Sequence, residues 1–411
     1  MSSEQTEPHP AQTLWVMSEV YYPEDISTGY YLTAIAEGLT EDHSVKVVTG
    51  QPKHMNRGLR APKCEARNGV EIHRIWGTTF DKNFIPLRLI NMLTIGLSTF
   101  LFALRSFKRG DKALAVTAPP TMPLVTMLAA LIKGVGVTIL IQDSYPEILI
   151  AVGKVRPNSP TAWITNFVNR WVYKYTSKII VIGRDMRELF EKKTEGLDLP
   201  IEVIPNWADL ESIRPEPRGQ NPLLKELDLA DKFVLLCAGN LGPAIDLETL
   251  IGAAKVLRSN ERIHFLFIGA GAKVKWLRSQ IDQHSLSNVT LLDYRPRQEQ
   301  NIFLNACDVG LVALVAGMRG TAMPSRTYNL MAAGKPIIAV CEPGSELDLV
   351  VREDEVGKVI DPDHPQELAI AIETMLESSK AVEQYGINAR GAALRKYSSD
   401  IAIRAFQQAF K

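Results

Sequence analysis

The sequence predicts an α/β protein of two Rossmann-like domains facing each other across a cleft. Three observations carry that prediction. Short apolar runs alternate with helical stretches along two separate parts of the chain, and the alternation breaks once in a segment rich in proline and charge. The chain has 411 residues, room for two to three domains at ~150 residues each. Apolar runs separated by helices mark a parallel sheet covered on both faces.

The opening residues 1–11, MSSEQTEPHPA, are polar and acidic and have neither a basic nor an apolar export region. A disordered tail is expected there. The first domain is expected over residues 12–207. It starts with the strand TLWVMSEV from Thr13, a loop holding Tyr22, Pro23 and Gly29, a helical run to Leu39 and a strand from Val45 to Thr49. Further strands are expected at Ala113 to Val116, Thr138 to Gln142, Lys178 to Ile182 and Glu202 to Ile204. The segment NWADLESIRPEPRGQNP, Asn206 to Pro222, reads as the boundary. The second domain is expected over 208–395, with strands at Phe233 to Ala238, His264 to Ile268, Val289 to Leu292, Val309 to Leu314, Pro336 to Val340 and Val356 to Ile360. Helices fall between them, including Ser325 to Ala333, Glu346 to Val351 and Gln366 to Leu376.

Composition excludes several function classes. The 46 basic and 46 acidic side chains cancel, so the whole chain is not steered to nucleic acid. Cys64, Cys237, Cys307 and Cys341 lack paired spacing, as expected of free thiols in a reducing cytoplasm. The seven histidines are scattered, and no protein-built metal site is expected. Asp361-Pro362-Asp363 reads as a turn with helix-capping acids, not as a metal-binding D-x-D.

Ligands of such sheets bind at the carboxyl ends of the strands. Gly29, at a helix start, and Gly239-Asn240-Leu241-Gly242, after the second domain's first strand, are placed to offer backbone N–H groups to a phosphate. Each also reads as a plain turn. Gly269-Ala270-Gly271 lacks a third glycine and follows a second strand, so a dinucleotide and a dehydrogenase are not expected. The most informative window is GMRGTAMPSRTYNLMAAGKP, Gly317 to Pro336. Ser325 caps its helix, and Arg326 stands where it can grip a phosphate with two N–H groups or, on the bland alternative, lie solvated. In the first domain Asp143 follows a strand and is expected to face the cleft and orient an acceptor hydroxyl. Glu147 is the substitute, and helix capping is the competing role for such an acid.

From Leu89 to Leu104 sixteen residues in succession are uncharged, fewer than the ~20 that span a bilayer. Arg88, Asn91, Thr94, Ser98, Arg105 and Arg109 follow helical spacing and leave a wide apolar face. Between Lys82 and Lys112 six basic residues stand against one acid, Asp111. An apolar face edged by basic groups over residues 82–112 suits an anionic membrane surface; burial within the first domain is the alternative.

PSRTYNLMAAGKPIIAV and CAGNLG in the second half, with YYPEDISTGYYLTAIAEGL, IQDSYPEI and VIPNWAD in the first, resemble the family 4 retaining glycosyltransferases. More narrowly they are similar to the WbuB/WcaI-type branch of polysaccharide-assembly enzymes. The resemblance covers residues 13–411. It implies a GT-B fold, with the acceptor held by the first domain, a nucleotide-sugar donor, expected to be UDP-linked, held by the second, and residues 396–411 returning as a helix to the first. It implies transfer of a sugar, an N-acetylated hexosamine or deoxy sugar among the expectations, with retention and without a metal or other cofactor. The acceptor would be a polyprenyl-diphosphate-linked saccharide of envelope or capsular polysaccharide assembly, and the location cytoplasmic, peripheral to the plasma membrane.

The sequence departs from the family pattern. Thr321 and Asn329 occupy the positions of the paired glutamates, leaving Asn329 able to hydrogen-bond ribose hydroxyls. Asn240 stands at the usual arginine, and residues 242–248 contain no lysine. The diphosphate then falls to Arg326, Lys335 and backbone amides near Gly29 and Gly242, and the base to backbone groups near Arg295. Two other readings remain: a UDP-sugar epimerase of the same fold, and a two-domain binder without catalysis.

Overall fold

The computed structural model describes residues 12–52, 60–80 and 85–411. The first sheet is built from β1 (Thr13–Met17), β2 (Ser44–Thr49), β3 (Cys64–Arg67), β4 (Val70–Arg74), β5 (Lys112–Val116), β6 (Gly136–Ile141), β7 (Lys178–Val181) and β8 (Ile201–Val203). Their order is β3-β4-β2-β1-β5-β6-β7-β8. All pairs are parallel except β3 with β4. Helices α1 (Ser27–Gly38), α2 (Ile85–Ser106), α3 (Met122–Lys133), α4 (Glu147–Ala151), α5 (Pro160–Lys174) and α6 (Arg184–Lys193) connect the strands. Leu14, Val16, Leu114, Val116, Ile139, Ile141, Ile179 and Val181 are fully buried, which is why these central strands read as continuous apolar runs.

The second sheet is parallel throughout, in the order β11-β10-β9-β12-β13-β14. Its strands are β9 (Phe233–Asn240), β10 (Ile263–Ala270), β11 (Val289–Leu292), β12 (Val309–Ala313), β13 (Ile337–Val340) and β14 (Gly357–Ile360). Its helices are α7 (Pro222–Glu226), α8 (Leu247–Val256), α9 (Val274–His284), α10 (Gln300–Asn305), α11 (Arg326–Ala332), α12 (Glu346–Glu353) and α13 (Pro365–Leu376). Side-chain caps start several helices where the sequence offers them: Asp246 Oδ1 accepts from Thr249 N–H at 2.9 Å and Ser345 Oγ from Asp348 N–H at 3.3 Å. Strand order reverses between β1 and β5 in one sheet and between β9 and β12 in the other, so each sheet has one switch point.

Two helices close the chain, α14 (Ser379–Lys396) and α15 (Ser399–Ala409). The last packs on α1 of the first domain, where Gln407 Nε2 donates to Gly38 O at 2.9 Å. The chain thus passes between domains twice. The two passages touch, because Ala208 N–H donates to Tyr397 O at 2.8 Å.

Two expectations need correction. The β3–β4 hairpin has no counterpart in the sequence reading, because CEAR alternates exposed and half-buried positions and shows no apolar run. Helix α2 is 22 residues long, about 33 Å at 1.5 Å per residue, so by length and composition it is long and apolar enough to cross a membrane. One side is nevertheless fastened to the first domain. Asn91 Oδ1 accepts from Phe80 N–H at 3.0 Å and Nδ2 donates to Phe80 O at 2.9 Å, while Ile95, Thr99 and Ala103 are buried. Lys82 lies outside the described residues, as does the side chain of Arg88.

Candidate active site at the two switch points

The carboxyl ends of β9 and β10 form an exposed floor of small residues. Gly239, Asn240, Ala270 and Gly271 are exposed there, and the backbones approach so closely that a Cβ on Gly269 would lie 1.9 Å from Gly239 O. The glycines of GAG therefore serve close packing of two strand ends. Asn240 lies over Gly242, whose Cβ would stand 3.3 Å from the Asn240 amide.

Arg326 opens α11 and directs its guanidinium under this floor. Nη2 donates to Asn240 O at 3.3 Å and Nη1 to Cys237 Sγ at 3.8 Å, and a Cβ on Gly239 would be 3.4 Å from Nη2. Among the described residues no carboxylate pairs with it. Arg326 is thus a cation beside the floor with no carboxylate counter-ion among the described residues.

The amino end of α1 meets that of α11 across the cleft, with Ser27 Oγ 3.1 Å from Ser325 Oγ, so the Ser325 hydroxyl does not cap α11 as expected but turns to the other domain. The first turn of α1 carries no acid and no side-chain cap, so its free N–H groups and positive end are available to an anion. Gly29 is needed for packing: its Cβ would fall 2.4 Å from Glu24 O.

Several sequence candidates stand elsewhere than expected. Lys335 is not in the cleft. Helix α11 runs back from the strand ends, so Lys335 emerges at the opposite edge of the sheet, near Asp308 and Cys307 at the start of β12. Thr321 is buried, with Oγ1 donating to Met318 O at 2.8 Å. Asn329 is also buried, and its Oδ1 accepts from Asp209 N–H at 3.3 Å, tying the linker to α11. Arg295 is occupied by Glu299 at 3.0 Å and Glu226 at 3.5 Å. Glu147 is paired with Lys193 at 2.6 Å, and burial pushes that ammonium below its ordinary pKa.

Asp143 needs a correction of direction. Alternation along β6 puts Ile139, Ile141 and Asp143 on one face, and the carboxylate enters a pocket walled by Pro123 of α3 and by Asn169 and Tyr173 of α5. It points to the flank of the first domain, not straight across the cleft. Enclosure there pushes its pKa up to about 6, because a charged carboxylate loses hydration without gaining a cation.

Contacts between the domains involve residues that the sequence reading passed over. Ser144 N–H donates to Thr321 O at 2.8 Å and its Oγ to Gly320 O at 3.1 Å. Asp185 Oδ2 accepts from Gly320 N–H at 2.8 Å. Arg184 binds Glu346 at 3.0 Å and Glu353 at 2.8 Å. On the other side of the cleft the Arg297 guanidinium stacks 3.5 Å from the Tyr30 ring centroid and bonds Asp209 at 3.3 Å. None of these pairings has a local sequence signal.

Comparison with known proteins follows this geometry. Residues 28–207 match the glycosyl transferase 4-like domain and residues 223–392 the model for glycosyl transferases group 1. WbjE of Pseudomonas aeruginosa, described as a glycosyltransferase, is 30% identical over 310 residues, covering 75% of this chain and 76% of its own. The chain belongs to the family 4 glycosyltransferases. WcaI of Escherichia coli, described as a glycosyl transferase of colanic acid biosynthesis, is 24% identical over 403 residues, 94% of this chain and 96% of its own. Among solved structures, sucrose-phosphate synthase of Thermosynechococcus elongatus superposes with a TM-score of 0.78 at 15% identity, covering 97% of this chain and 98% of that one. Anabaena HepE in complex with UDP and glucose gives 0.74 at 16% identity over 97% and 99%. The glycosyltransferase therefore has the GT-B fold, two Rossmann-like domains around one cleft.

Proposed function

We propose that this glycosyltransferase moves a sugar from a UDP-linked donor to a polyprenyl-diphosphate-linked saccharide in polysaccharide assembly, with retention of anomeric configuration and without a metal. The observation that carries the reading is Arg326, a cation with no carboxylate partner among the described residues, at the exposed Gly239–Asn240 floor and opposite the uncapped amino end of α1. A diphosphate matches both in charge. UDP is supported as the nucleotide by the fold shared with HepE, whose structures hold UDP and UDP-glucose. The polysaccharide context is supported by the likeness to WcaI.

In this reading the acceptor hydroxyl attacks the anomeric carbon on the face from which the diphosphate leaves. The bond between that carbon and the phosphate oxygen breaks, the hydroxyl proton passes to the departing oxygen, and the new glycosidic bond keeps the donor's configuration. Arg326 and the N–H groups at α1 stabilise the negative charge growing on the diphosphate. No strong protein base is required. The reaction takes place on the cytoplasmic side of the plasma membrane.

Incubation with a panel of UDP- and GDP-sugars tests this. Slow UDP release that persists in EDTA, and a product of unchanged anomeric configuration by NMR, are the expected results. Interconversion of the sugar without nucleotide release would establish an epimerase, and saturable binding with neither outcome a non-catalytic binder.

A further inference from the structure

Helices α2, α3 and α5 lie side by side on the flank of the first domain, α3 packing on both of its neighbours. Gly96 of α2 allows the close contact with α3, since a Cβ there would already touch Val125 at 3.4 Å. Each helix buries one face and turns a row of large apolar side chains to solvent. Leu93 is 72% exposed and Leu97 61% on α2, Ile132 65% on α3, and Trp163 69% and Phe167 64% on α5. The Trp163 and Phe167 rings are stacked, with centroids 5.7 Å apart and planes 15° from parallel. Isolated exposed leucines are ordinary, whereas adjoining rows on three helices mark an interaction surface.

The charge around this surface selects its occupant. Residues 85–135 and 152–178 together contain eleven Lys and Arg and one acid, Asp111, which leaves 35 basic against 45 acidic side chains in the rest of the chain. Asp111 is buried and turned inward, where Oδ2 accepts from Trp15 Nε1 at 2.9 Å. No carboxylate among the described residues pairs with Arg105, Lys108, Arg109, Lys133, Lys154 or Lys174. A protein partner of mixed charge does not call for so one-sided a rim. A sheet of anionic headgroups over hydrocarbon does: unpaired cations meet phosphates while leucines and aromatic rings enter the acyl boundary.

We infer that the α2–α3–α5 flank is a docking face for an anionic lipid bilayer, on which α2 lies flat without crossing. The hydrogen bonds of Asn91 to Phe80 hold α2 to its own domain in that position. This goes beyond sugar transfer, and lipid without any saccharide is the ligand, so it stands or falls apart from the acceptor proposed above.

The test is co-sedimentation of the full chain with phosphatidylcholine vesicles, with and without phosphatidylglycerol. The expected result is binding to the anionic vesicles that weakens as salt is raised, and about a tenfold lower partition for Leu93→Gln/Leu97→Gln and for Trp163→Ser/Phe167→Ser. All four side chains are exposed, and an unchanged melting temperature establishes that the variants fold. Lys108→Glu/Arg109→Glu is expected to remove most of the salt dependence. Absence of binding to anionic vesicles at low salt overturns the inference, as does binding that neither apolar pair alters. Bound protein that resists alkaline carbonate extraction overturns the flat orientation of α2. Self-association of the lipid-free protein that both apolar pairs abolish assigns the face to a second copy of the chain instead.

Discussion

The two domains share a strand order around one switch point each, yet the outer helices of one differ in character from those of the other. On the second domain, surface charges of opposite sign pair with each other, as Lys273 does with Glu248 at 2.7 Å and Arg262 with Glu377 at 2.9 Å. Its large exposed apolar residues are fewer, Val256 on α8 and Ile370 on α13 standing one to a helix. On the α2–α3–α5 flank Arg105, Lys108, Arg109, Lys133 and Lys174 have no carboxylate partner among the described residues, and apolar rows adjoin. The same backbone plan thus supports a solvated surface in one half and a surface suited to a partner in the other, and the difference lies in side chains that the fold does not need. Function on such folds resides in what is placed at the strand ends and on the outer faces.

The largest effect is expected from Gly269→Ala at the donor floor, where the added methyl meets the Gly239 carbonyl oxygen on a strand that cannot yield. A loss of about 3 kcal/mol in urea unfolding is expected, with no counterpart for Gly110→Ala on the first domain beyond its positive φ, since that glycine has open space around it.

Next comes Asp143. Its folded pKa of about 6 lies above the ordinary aspartate value of 3.8, so the folded state holds the proton more tightly and stability falls as pH rises from about 4 through 6. Asp143→Asn is expected to recover about 3 kcal/mol at pH 8 and to flatten that slope, while leaving donor affinity unchanged. A thermal-melt series against pH, with calorimetry for the donor, checks both.

Arg326→Met is expected to weaken nucleotide-sugar binding about tenfold, the ~1.4 kcal/mol of one charged contact, without changing vesicle binding. Unchanged donor affinity by calorimetry would remove Arg326 from the site. The smallest effect belongs to Lys335→Met. At the far edge of the sheet it should leave donor affinity within about twofold, and a loss equal to that of Arg326→Met would contradict the geometry.

The parallel sheets were legible because strands buried on both faces must be apolar, as VLLC in β9 and IIAV in β13 are. The position of Arg326 beside the ends of β9 and β10 was legible because a loop entering a helix at a strand's carboxyl end limits where its first residue can lie. Lys335 was misplaced because proximity in sequence to Arg326 hides the reversal made by α11. Thr321 and Asn329 share the same window but turn inward, and their partners, Met318 and Asp209, become visible only in three dimensions. The direction of Asp143 could have been read from parity with Ile139 and Ile141. Ion pairs such as Arg184 with Glu346 join residues 162 positions apart and leave no trace in a local pattern.

The double passage of the chain between domains has a mechanical consequence. A single connector is a tether and permits twist, tilt and drift. Two connectors held together at Ala208 and Tyr397 would leave rotation about one axis as the freest motion of one domain against the other. Because α15 is fastened to α1, that rotation acts against the helix whose amino end faces Ser325. The carboxyl terminus is then part of the bearing on which the two halves turn.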